Sequence, residues 1–137
     1  MNTLKVVIAG SRTLNDYTQL TTFMSDVMTR YPGYGRLLIM TGEARGVDLL
    51  GKRYAKENAC LYKGFKPIYE HTLDYDAPLR RNKQMSRQGD ILICLWNGSS
   101  TGTRHMINCM KGKGKPTHVF NTLTGTSDHT ELKKSKK

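Results

Sequence analysis

Long apolar runs are missing from this 137-residue chain. The longest, Val6-Val7-Ile8-Ala9 and Ile91-Leu92-Ile93-Cys94-Leu95, fall far short of the ~20 residues that cross a bilayer, so no membrane span is expected. Met1–Lys5 leads straight into a strand-like run rather than into a signal-peptide apolar region with a cleavage site. A soluble, cytoplasmic protein is therefore expected. Cysteine is scarce: Cys60, Cys94 and Cys109 are odd in number and form no Cys-x-x-Cys pair, which argues against a disulfide framework or a zinc cluster. The four histidines (His71, His105, His118 and His129) are scattered without metal-ligand spacing. Neither a metal nor a resident cofactor is expected. Acidic residues are also short, 11 against 22 Lys and Arg, for a net charge of +11. Such a surface favours anionic partners: nucleic acid, nucleotides or acidic proteins. Eighteen of the basic and nine of the acidic residues precede Asn121, so the body of the chain holds most of the excess.

What is present is an alternation of strand-like and helix-like segments. Leu4–Ala9 is a continuous β-rich run ended by Gly10, as expected of a strand buried on both faces. Asn15 or Asp16 can cap a helix in which Leu20, Phe23, Met24, Val27 and Met28 form one apolar stripe. Further strands are expected at 36–40, 61–66, 91–96 and 116–120, and further helices at 44–59, 78–88 and 101–111. Residues 67–77 read as a loop whose Tyr69 and Tyr75 a ligand could order. From Asn121 the chain is rich in Thr, Ser and Lys and reads as a loose basic tail, residues 121–137, after a domain of residues 1–120. The fold class is α/β: a three-layer Rossmann-like domain with a mostly parallel five-stranded sheet and right-handed crossovers.

Ligands of such sheets bind at the carboxyl ends of the strands, near the switch in strand order. The first strand exits into Gly10-Ser11-Arg12, which offers backbone N–H groups, a hydroxyl and a guanidinium to a phosphate. The second exit is Thr41-Gly42-Glu43-Ala44-Arg45-Gly46-Val47-Asp48. Gly42, Arg45 and Gly46 suit an anion at a helix start, and Asp48 either favours the helix dipole or bonds a ribose hydroxyl. The fourth-strand exit, Gly98-Ser99-Ser100-Thr101-Gly102-Thr103, combines two glycines and four hydroxyls with a helix start, but matches no Walker motif. Trp96, the only tryptophan, could stack on a base or pack on the rim. Arg81 and Asn82 open a further helix, where an arginine suits phosphate clamping.

In order along residues 4–120, Val7-Ile8-Ala9-Gly10-Ser11-Arg12, Thr41-Gly42-Glu43-Ala44-Arg45-Gly46-Val47-Asp48, Arg81-Asn82-Lys83-Gln84-Met85 and Gly98-Ser99-Ser100-Thr101-Gly102-Thr103 resemble the SLOG superfamily, named for Smf/DprA and LOG proteins, and most closely its YspA-like branch. The resemblance implies a Rossmann-like domain that binds a nucleotide-derived ligand such as ADP-ribose, cyclic ADP-ribose, NAD or AMP. It would sense or sequester a nucleotide signal, for example in phage–bacteria conflict. Assembly as a homodimer or tetramer is also implied, with the Met106-Ile107-x-x-Met110 stripe available to an interface or to the core. Two alternatives remain: a LOG-like nucleoside 5′-monophosphate phosphoribohydrolase, and a nucleic-acid-binding protein like the DNA-processing relatives. The chain departs from the LOG pattern at one position that matters. Met106 stands where the LOG turn motif has its glutamate, and a thioether cannot act as an acid or base. Glu43 and Asp48 are the substitute catalytic candidates, though nothing in the sequence requires that role of them, and the departure at Met106 favours a binding protein.

Overall fold

The computed structural model describes residues 2–131. Its elements are β1 (Thr3–Gly10), α1 (Tyr17–Met28), β2 (Arg36–Thr41), α2 (Val47–Glu57), β3 (Leu61–Gly64), α3 (Ala77–Gln88), β4 (Ile91–Trp96), α4 (Thr101–Gly112), β5 (Thr117–Asn121) and β6 (Thr126–Thr130). The strands form one sheet in the order β3-β2-β1-β4-β5-β6. All neighbours are parallel except β6, which returns antiparallel to β5. This is a Rossmann-like α/β fold.

Strand alternation distributes the core over two faces. Leu4, Val6 and Ile8 of β1 and Ile91, Ile93 and Leu95 of β4 join Leu20, Phe23, Met24 and Val27 of α1 and Val47 and Leu50 of α2. Val7, Ala9, Leu92 and Cys94 face the other way, toward Met85 of α3 and Met106, Ile107 and Met110 of α4. The methionine stripe of α4 is therefore committed to the core rather than to an interface. Asp16 caps α1 by accepting from the Gln19 N–H at 3.2 Å. No described helix is long and apolar enough to cross a membrane.

Three expectations need correction. The sheet has six strands, not five. The segment read as loose from Asn121 instead turns through Gly125 (φ +74°) into β6. Asn121 closes that turn, its Oδ1 accepting from the N–H groups of Leu123 and Thr124. The four tail lysines, Lys133, Lys134, Lys136 and Lys137, lie outside the described residues. Third, α2 starts at Val47 rather than Ala44, because Gly46 sits at φ +76° and breaks the helical path just before it.

The chain moves from β1 outward to β3 through α1 and α2, then crosses back through α3 to β4 on the other side of β1. The strand order thus switches between β1 and β4, whose ends align with Gly10 opposite Leu95. A crevice at their carboxyl ends is the geometric consequence.

Candidate functional site: a cleft at the strand-order switch

A cleft of about 340 Å³ opens at this switch, walled by the exits of β1 and β4, the start of α2, and the first turns of α3 and α4. Three close approaches build it. A side chain at Gly10 would strike the Leu95 carbonyl and Val47, so glycine lets α2 and β4 meet the end of β1. A side chain at Gly46 would strike the Ser11 and Arg12 backbone. One at Gly42 would strike the Arg81 guanidinium. These three glycines shape the walls, and of them only Gly10 lines the cleft.

Arg81 is the principal cation of the cleft. Its Nη1 donates to the Gly42 carbonyl at 2.7 Å and the Phe65 carbonyl at 3.3 Å, and its Nε donates to Asn82 Oδ1 at 3.0 Å. Nη2 has no acceptor among the described residues, which leaves two donors for a ligand. Burial lowers the Arg81 pKa while the nearby Asp48 carboxylate raises it; an arginine keeps its charge regardless. Asn82 passes the order on, its Nδ2 lying 3.3 Å from the Gly102 carbonyl and 3.1 Å from His105 Nδ1. Donation from the amide makes His105 Nδ1 an acceptor, and burial holds the His105 pKa down, both favouring the neutral ring.

Asp48 lies opposite, 6% exposed. Burial pushes its pKa up to about 6, against the lowering pull of the Ala44 and Gly42 N–H groups, Arg81 and Arg12. The Ala44 N–H donates to its Oδ2 at 3.2 Å. A carboxyl titrating near neutrality can accept from a ribose hydroxyl or hold a proton.

The third component is the start of α4. Asn97 Oδ1 accepts from the N–H groups of Ser99 and Ser100, which satisfies the turn. The N–H groups of Thr101, Gly102 and Thr103 precede the first intrahelical bond, Arg104 N–H to the Ser100 carbonyl at 3.1 Å. No acidic residue occupies that first turn. A side chain at Gly102 would meet nothing within 4 Å, so this glycine leaves open space at the cleft. Ser100 and Thr103 bond each other through their hydroxyls at 3.1 Å.

The structure therefore brings together Gly10, Arg12, Asp48, Arg81, Asn82, Ser100, Thr101, Gly102 and Thr103. It places the other candidates elsewhere. Ser11 is 1% exposed, and its hydroxyl accepts from the Asn97 N–H at 3.0 Å, tying the β1 exit to the β4 exit. Trp96 donates its indole N–H to the Ser100 carbonyl at 3.1 Å and carries the Arg104 guanidinium 5.1 Å from its ring, so it is a rim residue. Ser99 is exposed and does not line the cleft. Gly42, Glu43 and Arg45 line an adjoining hollow. Glu43 accepts from the Tyr62 hydroxyl at 2.7 Å, with Lys52 at 3.5 Å and Lys66 at 4.0 Å. The Tyr62 hydrogen bond chiefly lowers its pKa, so it is an ionised structural carboxylate rather than a proton donor. Pro78 and Leu79, which sequence reasoning missed, and Met85 reach the cleft through the crossing of α3, and Lys66, also missed, reaches the adjoining hollow from the loop after β3. Met106, 1% exposed, lines the cleft where the LOG pattern has its glutamate.

No curated protein matches the chain. The solved structure of TM1055, a structural genomics target, is similar at 19% identity over 83% of this chain and 72% of that one, with a TM-score of 0.59. DNA processing protein A from Helicobacter pylori, described for its single-stranded DNA binding mode, is similar at 19% identity over 91% of this chain and 68% of that one, with a TM-score of 0.61. At that identity both likenesses speak to the fold. Residues 4–71 match the family described as YspA, cpYpsA-related SLOG, and with the switch-point cleft in place the chain belongs to the SLOG superfamily.

Proposed function

We propose that the cleft binds a nucleotide-derived small molecule through its phosphate, and that the protein holds or sequesters this ligand rather than cutting it. The observation that carries the reading is the pairing of three free N–H groups at the start of α4 with the unpartnered Nη2 of Arg81, and with Arg12 beside them. Backbone N–H groups and a guanidinium are the donor set a phosphate takes. Asp48 and Asn82 then face the ribose as acceptors, since both Nδ2 hydrogens of Asn82 are spent on Gly102 and His105. AMP, ADP-ribose and NAD share this phosphoribosyl unit, and a signal built on it would be sensed or sequestered by this site.

Binding without cleavage is supported by the carboxylate count. Glycoside hydrolysis ordinarily uses two carboxyl groups flanking the scissile bond. Asp48 is the only carboxylate lining this cleft among the described residues, and Met106 lies beside it. A nucleic-acid role has one observation in its favour, the net charge of +11, together with the single-stranded DNA binding of the Helicobacter pylori neighbour.

The test is a thermal-shift series with AMP, adenosine and inorganic phosphate, followed by chromatography of the AMP sample after several hours. Stabilisation by AMP beyond that by adenosine, with no adenine released, is the expected result. Release of adenine returns the protein to the hydrolase class. Binding only to oligonucleotides, with affinity falling steeply in salt, assigns it to nucleic acid.

A further inference from the structure

Beside the cleft lies a second hollow of about 390 Å³, lined by Arg45, Lys66 and Tyr69. Only Arg12, Ala44 and Arg81 stand between the two, and all three face both. The hollow's one carboxylate, Glu43, is already matched by Tyr62, Lys52 and Lys66. Arg12 and Arg45 have no carboxylate partner among the described residues. The hollow thus keeps a surplus of positive charge.

It also presents an aromatic face. Tyr69 is 59% exposed. Its exposure is built rather than incidental. Asp74, itself 6% exposed, accepts from the Glu70 N–H at 3.0 Å and from the Asp76 N–H at 3.2 Å. Arg80 pairs with Asp74 and also donates to the Ile68 carbonyl at 3.2 Å. The backbone on both sides of Tyr69 is therefore pinned while its ring stays open.

We infer that this hollow is a second subsite, and that the ligand is a pyrophosphate-bridged nucleotide with two halves. The inference rests on the nucleotide reading of the first cleft and names its ligand class. The proximal phosphate sits at the start of α4, the second phosphate of the bridge lies along Arg12 and Arg81, and the distal ring stacks on Tyr69 with Arg45 and Lys66 around it. Each hollow is at the lower end of the ~300–1,000 Å³ common for small-molecule sites, so one holds a mononucleotide and the joined pair holds a ligand about twice that size.

The test is calorimetric titration at fixed moderate salt with AMP, ADP and diadenosine pyrophosphate, against wild type, Arg45→Ala and Tyr69→Ala. Both variants change exposed positions, and their thermal midpoints confirm folding. Diadenosine pyrophosphate is expected to bind at least about tenfold more tightly than ADP, since stacking of one base on an aromatic ring supports that gain. Tyr69→Ala should erase the gain and leave AMP within about twofold, and Arg45→Ala should shrink the gain while leaving the advantage of ADP over AMP, which Arg12 and Arg81 supply, in place. If AMP binds but diadenosine pyrophosphate gains nothing over ADP, the second subsite falls and the nucleotide reading stands. If no nucleotide binds, both fall. Tight binding of decathymidylate that depends on Tyr69, with no gain for diadenosine pyrophosphate, overturns the inference in favour of a nucleic-acid groove.

Discussion

Replacing Asp48 by asparagine and His118 by glutamine is expected to expose two opposing pH dependences that nearly cancel in the wild-type protein. Burial raises the Asp48 pKa from 3.8 to about 6. The folded state therefore binds this proton more tightly than the unfolded chain, so stability is greatest below pH 3.8 and falls as pH rises to about 6. The span corresponds to about 3 kcal/mol. His118 does the reverse. It is 0% exposed, with Tyr31 Oη at 2.7 Å, His129 Nδ1 at 2.9 Å, Glu131 at 3.9 Å and the charges of Arg30 and Asp26 nearby. Burial, aided by His129 and Arg30, lowers its pKa from 6.5 to about 4. Its contribution is present above pH 6.5 and is lost as pH falls to about 4, again by about 3 kcal/mol.

Between pH 4 and 6 the two slopes oppose, so the wild-type profile is comparatively flat there. Asp48→Asn removes the falling branch, and its stability should rise with pH by about 3 kcal/mol across the window. His118→Gln removes the rising branch, and its stability should fall with pH by a similar amount. The double variant should be flat once more, because the two groups share no hydrogen-bond partner. Urea unfolding at half-unit pH intervals, with unchanged slope against denaturant, reads all four profiles. Any cost of the substitutions that does not depend on pH only offsets the curves. If the gap between Asp48→Asn and wild type is the same at pH 4 and pH 7 to within about 0.5 kcal/mol, the burial argument for Asp48 is wrong.

Gly42→Ala should displace the Arg81 guanidinium and weaken AMP binding about tenfold, the cost of misplacing a charge-assisted donor, while calorimetry shows the same stoichiometry. Tyr62→Phe removes the hydroxyl bonded to Glu43 and Thr41; it should cost about 1–3 kcal/mol in urea unfolding and leave AMP affinity within about twofold. Arg80→Ala frees the backbone around Tyr69, so the advantage of diadenosine pyrophosphate over ADP should shrink in calorimetry while AMP binding stays unchanged.

The first five strands and four helices were legible because most segments carry an apolar period or run bounded by glycine, proline or a capping residue, while the short β3 and the polar α3 were marked mainly by their place in the alternation and by Pro78. β6 was not. Thr-Ser-Asp-His-Thr is an exposed edge strand whose single inward anchor is His129, stacked near Phe23 and His118, and such a polar alternation carries no hydrophobic period. The cleft was legible at the level of strand exits, because ligand position in a doubly wound sheet follows from topology. Side-chain direction was not. Nothing in Gly10-Ser11-Arg12 says that the serine turns inward to Asn97 while the arginine turns out to the cleft. Nor does the spacing reveal that Trp96 is tied to the Ser100 carbonyl, or that Glu43 faces Tyr62. Lys66 and Tyr69 join the site by long-range packing of the loop after β3, which no local pattern encodes.

The central claim is a phosphate seat at the start of α4, and Gly102→Leu tests it most directly. The position has open space around it and lies in a helical turn, so leucine should leave the fold at least as stable as before while filling the seat. The account predicts that calorimetry with AMP shows binding to the wild-type protein, with about 2.7 kcal/mol of added stability at 100 times the dissociation constant, and binding at least about tenfold weaker to a fully folded Gly102→Leu. A leucine variant that binds AMP as tightly as wild type would contradict it.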